Sequence, residues 1–262
     1  MTGRREKGEE SLDDKTILCF GALLHDIGKV VYRGFSGKGT HSLLGAKFID
    51  EEVAPLNESF AAPEGRKVVD QIRFHHAREI AGSTSLNSDS LAYITYFADN
   101  ISAGMDRENE GDEEGNARFD KEVDLRKIFN ILDGRYDDNV IAHDDYNAIR
   151  ETIKRQLAQI KIASQEVNSL LHVLEATTCT VPSSTNRSEL VDVSLYDHSK
   201  TTAGLALCLY DYLEERGISD YRKALFSGNL SRSYYKERMF LLVSCDMSGI
   251  QDFIYDISGS KA

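Results

Sequence analysis

"GALLHDIGKVV", residues 21–31, sets His25 and Asp26 inside a run of apolar residues that reads as the wall of a core. Burying a carboxylate without a partner costs several kcal/mol, so Asp26 requires a cation, a hydrogen-bond network or solvent. The neighbouring segments supply candidates. Lys15–His25 consists of good helix formers, and "HSLLGAKFIDEEV" from His41 repeats Leu44, Phe48, Ile49 and Val53 at helical spacing. "RKVVDQIRFHHA" puts Val68, Val69 and Ile72 on one face, and the periodicity carries His75 and His76 inward with them. "DSLAYITYFADNISAG" aligns Leu91, Ile94, Ala98 and Ile101, with Asp99 beside the stripe.

His25, Asp26, His41, His75, His76 and Asp99 thus lie on predicted helices or their edges. Independent burial of so many ionisable groups is costly unless they surround a cation. Imidazole mixed with carboxylate suits Mn, Ni, Co, Fe or Zn better than Mg or Ca. Asp26, flanked by histidines, is the candidate bridge between two ions, an arrangement suited to phosphoryl transfer. Taken singly, each histidine also reads as an ordinary hydrogen-bonded residue.

The rest of the chain is mainly helical. Helices are expected from Tyr146 to about Ile162, from Gln165 to about Ala176, and over "SLYDHSKTTAGLALCLYDYLEERG", closed by Gly217. "LRKIFNIL" from Leu125 suggests a strand, and "RMFLLVSCDMSGIQDFIYDIS" a buried strand, a turn and a new helix. Of the net charge of −12, half comes from residues 104–124, whose low apolar content predicts a mobile loop. The overall acidity argues against an open basic groove for long nucleic acid. Cys19, Cys179, Cys208 and Cys245 form no C-x-x-C pair, and the charged N-terminus has no signal-peptide core or membrane span, so a reducing cytoplasm is expected.

"HDIGK", "HSLLGA", "HHA" and "YFADN", in that order, resemble the motifs of the HD phosphohydrolase superfamily. The glycine-tyrosine-proline element of its HD-GYP branch is absent, since "REIAGSTSLNSDS" follows the paired histidines. "LAYITYFADNISAGMDR", "VPSSTN", the 194–217 helix and "SCDMSGIQDFIY" further resemble the N-terminal part of the large subunit of type III-A CRISPR (Csm) complexes. The resemblance implies a mainly α fold: an HD helical bundle followed by a C-terminal β-α start of a ferredoxin-like palm domain. It implies a tail over 1–14, an HD domain over 15–107, an acidic mobile loop over 108–124, a helical insertion or linker over 125–189, a helix over 190–217 completing a permuted HD domain, and a linker with the truncated start of a palm domain over 218–262. No Gly-Gly-Asp-Asp motif occurs, so oligoadenylate synthesis is not expected.

The implied activity is metal-dependent cleavage of single-stranded DNA in antiviral defence. The implied partners are other Csm subunits, with crRNA and target RNA reached through the complex, and no membrane. Asp26 would bridge the ions and Lys29, one turn on, would meet a phosphate oxygen as charge builds; a solvated lysine is the plainer alternative. Arg33, Lys38 and Lys47 would attract the strand electrostatically. A free-standing HD nucleotidase and a catalytically idle scaffold remain alternatives. Because no histidine precedes His25, the upstream ligand of an HD domain must be absent or supplied elsewhere. The helix starting near His198 has the spacing of that missing first helix, which places His198 within direct or one-water reach of the His25/Asp26 cluster. Asp197 as a helix cap beside an exposed histidine is the alternative.

Overall fold

The computed structural model describes residues 12–34, 39–106, 123–127, 139–141, 145–184, 191–227 and 233–244. Lys38, Cys245, most of the acidic segment and the expected helix after Gly249 lie outside the described residues. The central element is α1, Asp14–Leu24, opened by Asp13, whose carboxylate accepts from the Thr16 amide at 2.8 Å and the Thr16 hydroxyl at 2.9 Å. Residues 16–24 of α1 are all buried, because other helices cover it on every side.

After a turn at His25–Ile27 come α2, Gly28–Gly34, and α3, His41–Lys47, capped by the Thr40 hydroxyl. The chain runs from α3 into a π-helical turn, Phe48–Val53, then to the short α4, Glu58–Ala61. Asn57 locks this corner. Its amide donates to the carbonyls of Leu157 and Ile160, both at 2.8 Å, and its oxygen accepts from Ser59.

Pro63 opens α5, Pro63–Arg73, followed by α6, Ala77–Gly82, and α7, Ala92–Asp106. Strand β1, Leu125–Lys127, pairs antiparallel with β2, Asn139–Ile141, with Leu125 opposite Ile141, so the strand expected at Leu125 forms. Then follow α8, Tyr146–Leu157, α9, Val167–Thr178, and α10, Leu195–Glu215. Gly217, at φ +65°, ends α10 in the left-handed region that glycine adopts without strain.

Helix α10 packs along α1 and α7, while α5 covers another side of α1. Ile17, Leu18, Phe20, Ile72, Ile94, Phe97, Ala206 and Leu209 form one continuous core between them. This is the mainly α bundle anticipated from the sequence. Residues 238–244 differ from expectation: they form no strand, and Leu241 and Leu242 are 88% and 95% exposed. No described strand pairs with them, and a strand without a ladder has nothing to hold its backbone groups. Among the described residues no helix is long and apolar enough to cross a membrane.

Candidate metal centre

The candidate ligands come from five places in the bundle. His25 and Asp26 follow α1, His41 opens α3, His75 and His76 fill the turn between α5 and α6, Asp99 lies on α7, and His198 lies on the first turn of α10. The expectation that helix periodicity carries His75 and His76 needs correction. Helix α5 stops at Arg73, where Phe74 leaves helical geometry at φ −121°, ψ 36°. That break lets both rings of an adjacent pair reach one site, which neighbouring positions on a continuous helix, 100° apart, cannot do as well.

Asp26 is buried and central. Its Oδ1 lies 3.2 Å from His41 Nε2 and 3.5 Å from His75 Nε2. Its Oδ2 lies 3.4 Å from His25 Nε2 and 3.5 Å from His198 Nε2, and 2.6 Å from Lys29 Nζ. One oxygen therefore faces each of two imidazole groups. On one side, donor atoms of His41, His75 and His76 lie within 4.8 Å of one another; on the other, those of His25, Asp26 and His198 do. Asp99 borders the second group, its Oδ1 3.1 Å from His198 Nε2 and 3.4 Å from His25 Nε2. The proximity expected of His198 is thus found, and the cap of α10 is Ser194 rather than Asp197.

Backbone carbonyls set the rings. His25 Nδ1 donates to the Ala22 carbonyl at 2.7 Å, and His75 Nδ1 donates to the Ile72 carbonyl at 2.8 Å. Each Nε2 is then turned toward Asp26, the arrangement that outer hydrogen bonds impose on metal-binding histidines. Ser102, one turn after Asp99 on the same face of α7, lies 3.2 Å from His198 Nδ1. Ser42 donates to Glu79 at 3.1 Å, tying the start of α3 to α6 next to His41. Sequence reading missed Ser102, Ser42 and Glu79. Only the three-residue spacing of Asp99 and Ser102 signalled one of them.

The electrostatics fit a cation. Burial alone would lower the His25 pKa, but Asp26 and Asp99 outweigh it and push it up to about 10. Burial would raise Asp26, yet the charges of Lys29 and His25 hold it well below the usual carboxylate range. Burial would raise Asp99 too, yet hydrogen bonds from His198 and His25 hold it low. On the other side burial lowers His41, and burial with the His75 and His41 charges pushes His76 down to about 2, leaving lone pairs. His76 Nε2 sits 2.8 Å from His41 Nε2, which is 3.2 Å from His75 Nε2. His25 Nε2 and Asp26 Oδ1 are fully buried yet make no hydrogen bond. A buried, unsatisfied polar atom at each of the two groups, with imidazole and carboxylate donors around it, matches what a transition-metal ion requires.

The cations behave unequally. Lys29, 22% exposed, keeps its ammonium at the rim. Arg33 is buried and donates to the carbonyls of Pro182 at 2.7 Å and Ser184 at 3.2 Å, so it serves as a clamp rather than as a surface attractor of nucleic acid. Lys47 is exposed.

Comparison with known proteins agrees with this geometry. The HD domain family model matches residues 4–104, and the model for Csm1 subunit domain B matches residues 239–262. HD domains are metal-dependent, and the paired clusters here are groups that could hold metal. A relative from Enterococcus italicus, named CRISPR system single-strand-specific deoxyribonuclease Cas10/Csm1 (subtype III-A), is 42% identical over 96% of this chain and 36% of its own length. Proteins of the same name from Streptococcus thermophilus and Mycobacterium tuberculosis are 39% and 36% identical over 95% and 92% of this chain, and 34% of their own length in each case. The chain therefore spans about a third of the curated relatives it matches. Among solved structures, Csm1 of T. onnurineus superposes with a TM-score of 0.55 at 25% identity, covering 77% of this chain and 29% of that one. A Csm1–Csm4 cassette in complex with pppApA gives 0.54 at 25% identity, over 80% and 29%. With an HD motif set that α10 joins through His198 and sequence similarity along nearly its whole length, the chain is homologous to about a third of the Cas10/Csm1 proteins of CRISPR subtype III-A.

Proposed function

We propose that this chain is a metal-dependent phosphodiesterase that hydrolyses single-stranded DNA, the HD module of a type III-A CRISPR effector. The observation that carries the reading is Asp26, which presents one oxygen to each imidazole group. The donor set suits two ions drawn from Mn, Ni, Co, Fe or Zn: His41, His75, His76 and Asp26 for one, and His25, His198, Asp99 and Asp26 for the other. Bound there, the ions would supply Lewis acidity and a water acidic enough to attack phosphorus at neutral pH. The protein's own part is to hold the imidazoles with Nε2 inward and Asp26 ionised. Lys29 would meet a phosphate oxygen with its rim ammonium as negative charge develops.

The relatives' names support single-stranded DNA as substrate, and the Csm1–Csm4 cassettes support Csm subunits as partners. Guide and target RNA would be reached through that assembly, in the cytoplasm. On this reading residues 15–107 and 190–217 form the permuted HD domain, 125–189 are an insertion, and the palm domain begins after 218. The test incubates the purified chain with Mn²⁺ or Ni²⁺ and single-stranded DNA, duplex DNA or dNTPs. Single-stranded DNA should be cut, and EDTA should stop the reaction. Asp26→Asn should lose more than roughly 100-fold, since even outer-shell partners of a metal cost 10–100-fold. Full activity in EDTA or in that variant would overturn the site.

A further inference from the structure

Three helices of the metal centre are tied together one turn below their ligands by a single buried amide. Gln71 on α5 is fully buried. Its Nε2 donates to the Ile17 carbonyl of α1 at 3.2 Å and to the Lys67 carbonyl of its own helix at 3.1 Å. Its Oε1 accepts from the Thr95 hydroxyl of α7 at 2.8 Å, and Thr95 is also fully buried. Space for the amide exists only because residue 21 is glycine: a Cβ there would lie 2.1 Å from Gln71 Cδ and 2.2 Å from both its nitrogen and its oxygen.

The spacing along the chain is the same in all three segments. His25 stands four residues after Gly21, His75 four after Gln71, and Asp99 four after Thr95. Along α7 the four residues are about one helical turn, or roughly 6 Å of rise, and His25 and His75 lie just past the ends of α1 and α5. The tie therefore spans α1, α5 and α7 at one level, and the donors of the metal centre lie at the next. A buried hydrogen bond tolerates little displacement, because an amide or hydroxyl left unpaired in the core costs roughly 1–3 kcal/mol. To the close packing of the surrounding leucines and isoleucines the amide adds directional bonds that fix axial register.

Resting on the reading of the site as a metal centre, we infer that Gln71 is a positioning residue, which through Ile17 and Thr95 holds His25, Asp26, His75 and Asp99 at the spacing the ions require. The inference differs from a general role in stability, because it locates the effect of the tie in the donor geometry.

The test uses the full chain and three substitutions. Thr95→Val keeps the shape and removes the hydroxyl, Thr95→Ser keeps the hydroxyl, and Gln71→Met keeps length and removes both polar atoms. For each, the melting temperature is taken in EDTA, Mn²⁺ affinity is measured by calorimetry on the folded protein, and the visible spectrum of added Co²⁺ reports the ligand geometry. Thr95→Val and Gln71→Met should weaken Mn²⁺ binding by roughly 10–100-fold, the range found for groups that orient ligands, and should alter the Co²⁺ bands. Thr95→Ser should keep both near those of the unsubstituted chain. Should Gln71→Met fail to fold, the isosteric Thr95→Val decides. A Thr95→Val protein that melts earlier yet binds Mn²⁺ and Co²⁺ like the unsubstituted chain overturns the inference, leaving a purely structural tie. An unsubstituted chain that binds neither ion, or an Asp26→Asn chain that binds both fully, overturns instead the metal reading on which the inference rests.

Discussion

Replacing Arg33 with methionine separates two roles that a cation so close to the His-Asp motif can play. A surface arginine would draw in the phosphate backbone. The arginine observed is buried, and its guanidinium holds the carbonyls of Pro182 and Ser184. That segment runs beside the start of α10, where Leu195 N–H donates to the Val181 carbonyl at 2.7 Å and Ser183 N–H donates to the Val193 carbonyl at 2.9 Å. Arg33 therefore ties α2, just past Asp26, to the entry of the helix that carries His198. Two hydrogen bonds from a charged donor contribute roughly 1.5–3 kcal/mol each. Methionine fills a similar volume and avoids the cost of burying a charge, which returns part of that amount, so the net loss is about 2–4 kcal/mol. At about 2–4 °C per kcal/mol for a chain of this size, the melting temperature should fall by roughly 4–16 °C. Calorimetric or fluorescence melting measures it. The dependence of single-stranded DNA affinity on salt should keep its slope, because no phosphate contact is lost. A melting temperature within a degree of the unsubstituted chain, with the log–log salt slope flatter by about 0.7, the amount one lost single-strand phosphate contact gives, would refute the clamp and restore the electrostatic role.

Three further outcomes follow from the structure. Gly28→Ala would put a Cβ 1.8 Å from the His41 carbonyl oxygen, a backbone atom that cannot swing aside; it should cost about 1–3 kcal/mol by overpacking and weaken Mn²⁺ binding by moving His41 off Asp26, and unchanged calorimetric affinity would contradict this. Burial pushes the Cys19 thiol up to about 11, while Cys179 and Cys208 are exposed; a thiol-disulfide reagent at pH 8 should therefore label native Cys19→Ser as extensively as the unsubstituted chain, the two differing by one thiol only after denaturation. Asp13→Ala removes the cap of α1 and should cost about 1 kcal/mol; the Thr16 N–H holds this carboxyl below its usual value, so the contribution is present above the ordinary Asp pKa and fades as pH falls through the lowered one, and a loss that persists unchanged into strong acid would argue against it.

What the sequence makes legible is what periodicity and residue chemistry encode locally. The apolar stripes of α1, α5, α7 and α10 announce helices and the faces they bury, and a histidine or aspartate on such a face announces a site. The end of α5 is not announced. "RFHHAR" holds neither glycine nor proline, and Phe74 leaves the helix because the tertiary site draws His75 and His76 together. Arg33 is misread for a related reason. Its partners are carbonyls some 150 residues away, and a backbone oxygen leaves no trace in residue identity. The tie at Gln71 likewise joins residues that are unremarkable one by one, a glutamine, a threonine and a glycine, which acquire meaning only when three helices are set side by side.

The two halves of the metal centre differ in how the chain builds them, and this explains why one was easier to read. His41, His75 and His76 come from helices that follow one another closely, and contacts among α2, α3 and α5 close that half early along the chain. The other half waits for α10: His198 lies 99 residues after Asp99, its nearest carboxylate partner. Closing so long a loop carries an entropic cost that grows only slowly with length, and it is met by the apolar faces that α10 lays along α1 and α7. Packed beside α1, α10 brings His198 to the same side of Asp26 as His25. Asp26 belongs to both halves, so it can meet its two sets of imidazoles only after the last of these helices has docked. The integrity of the candidate metal centre is thereby coupled to the packing of a segment that reaches from the first helix to the last.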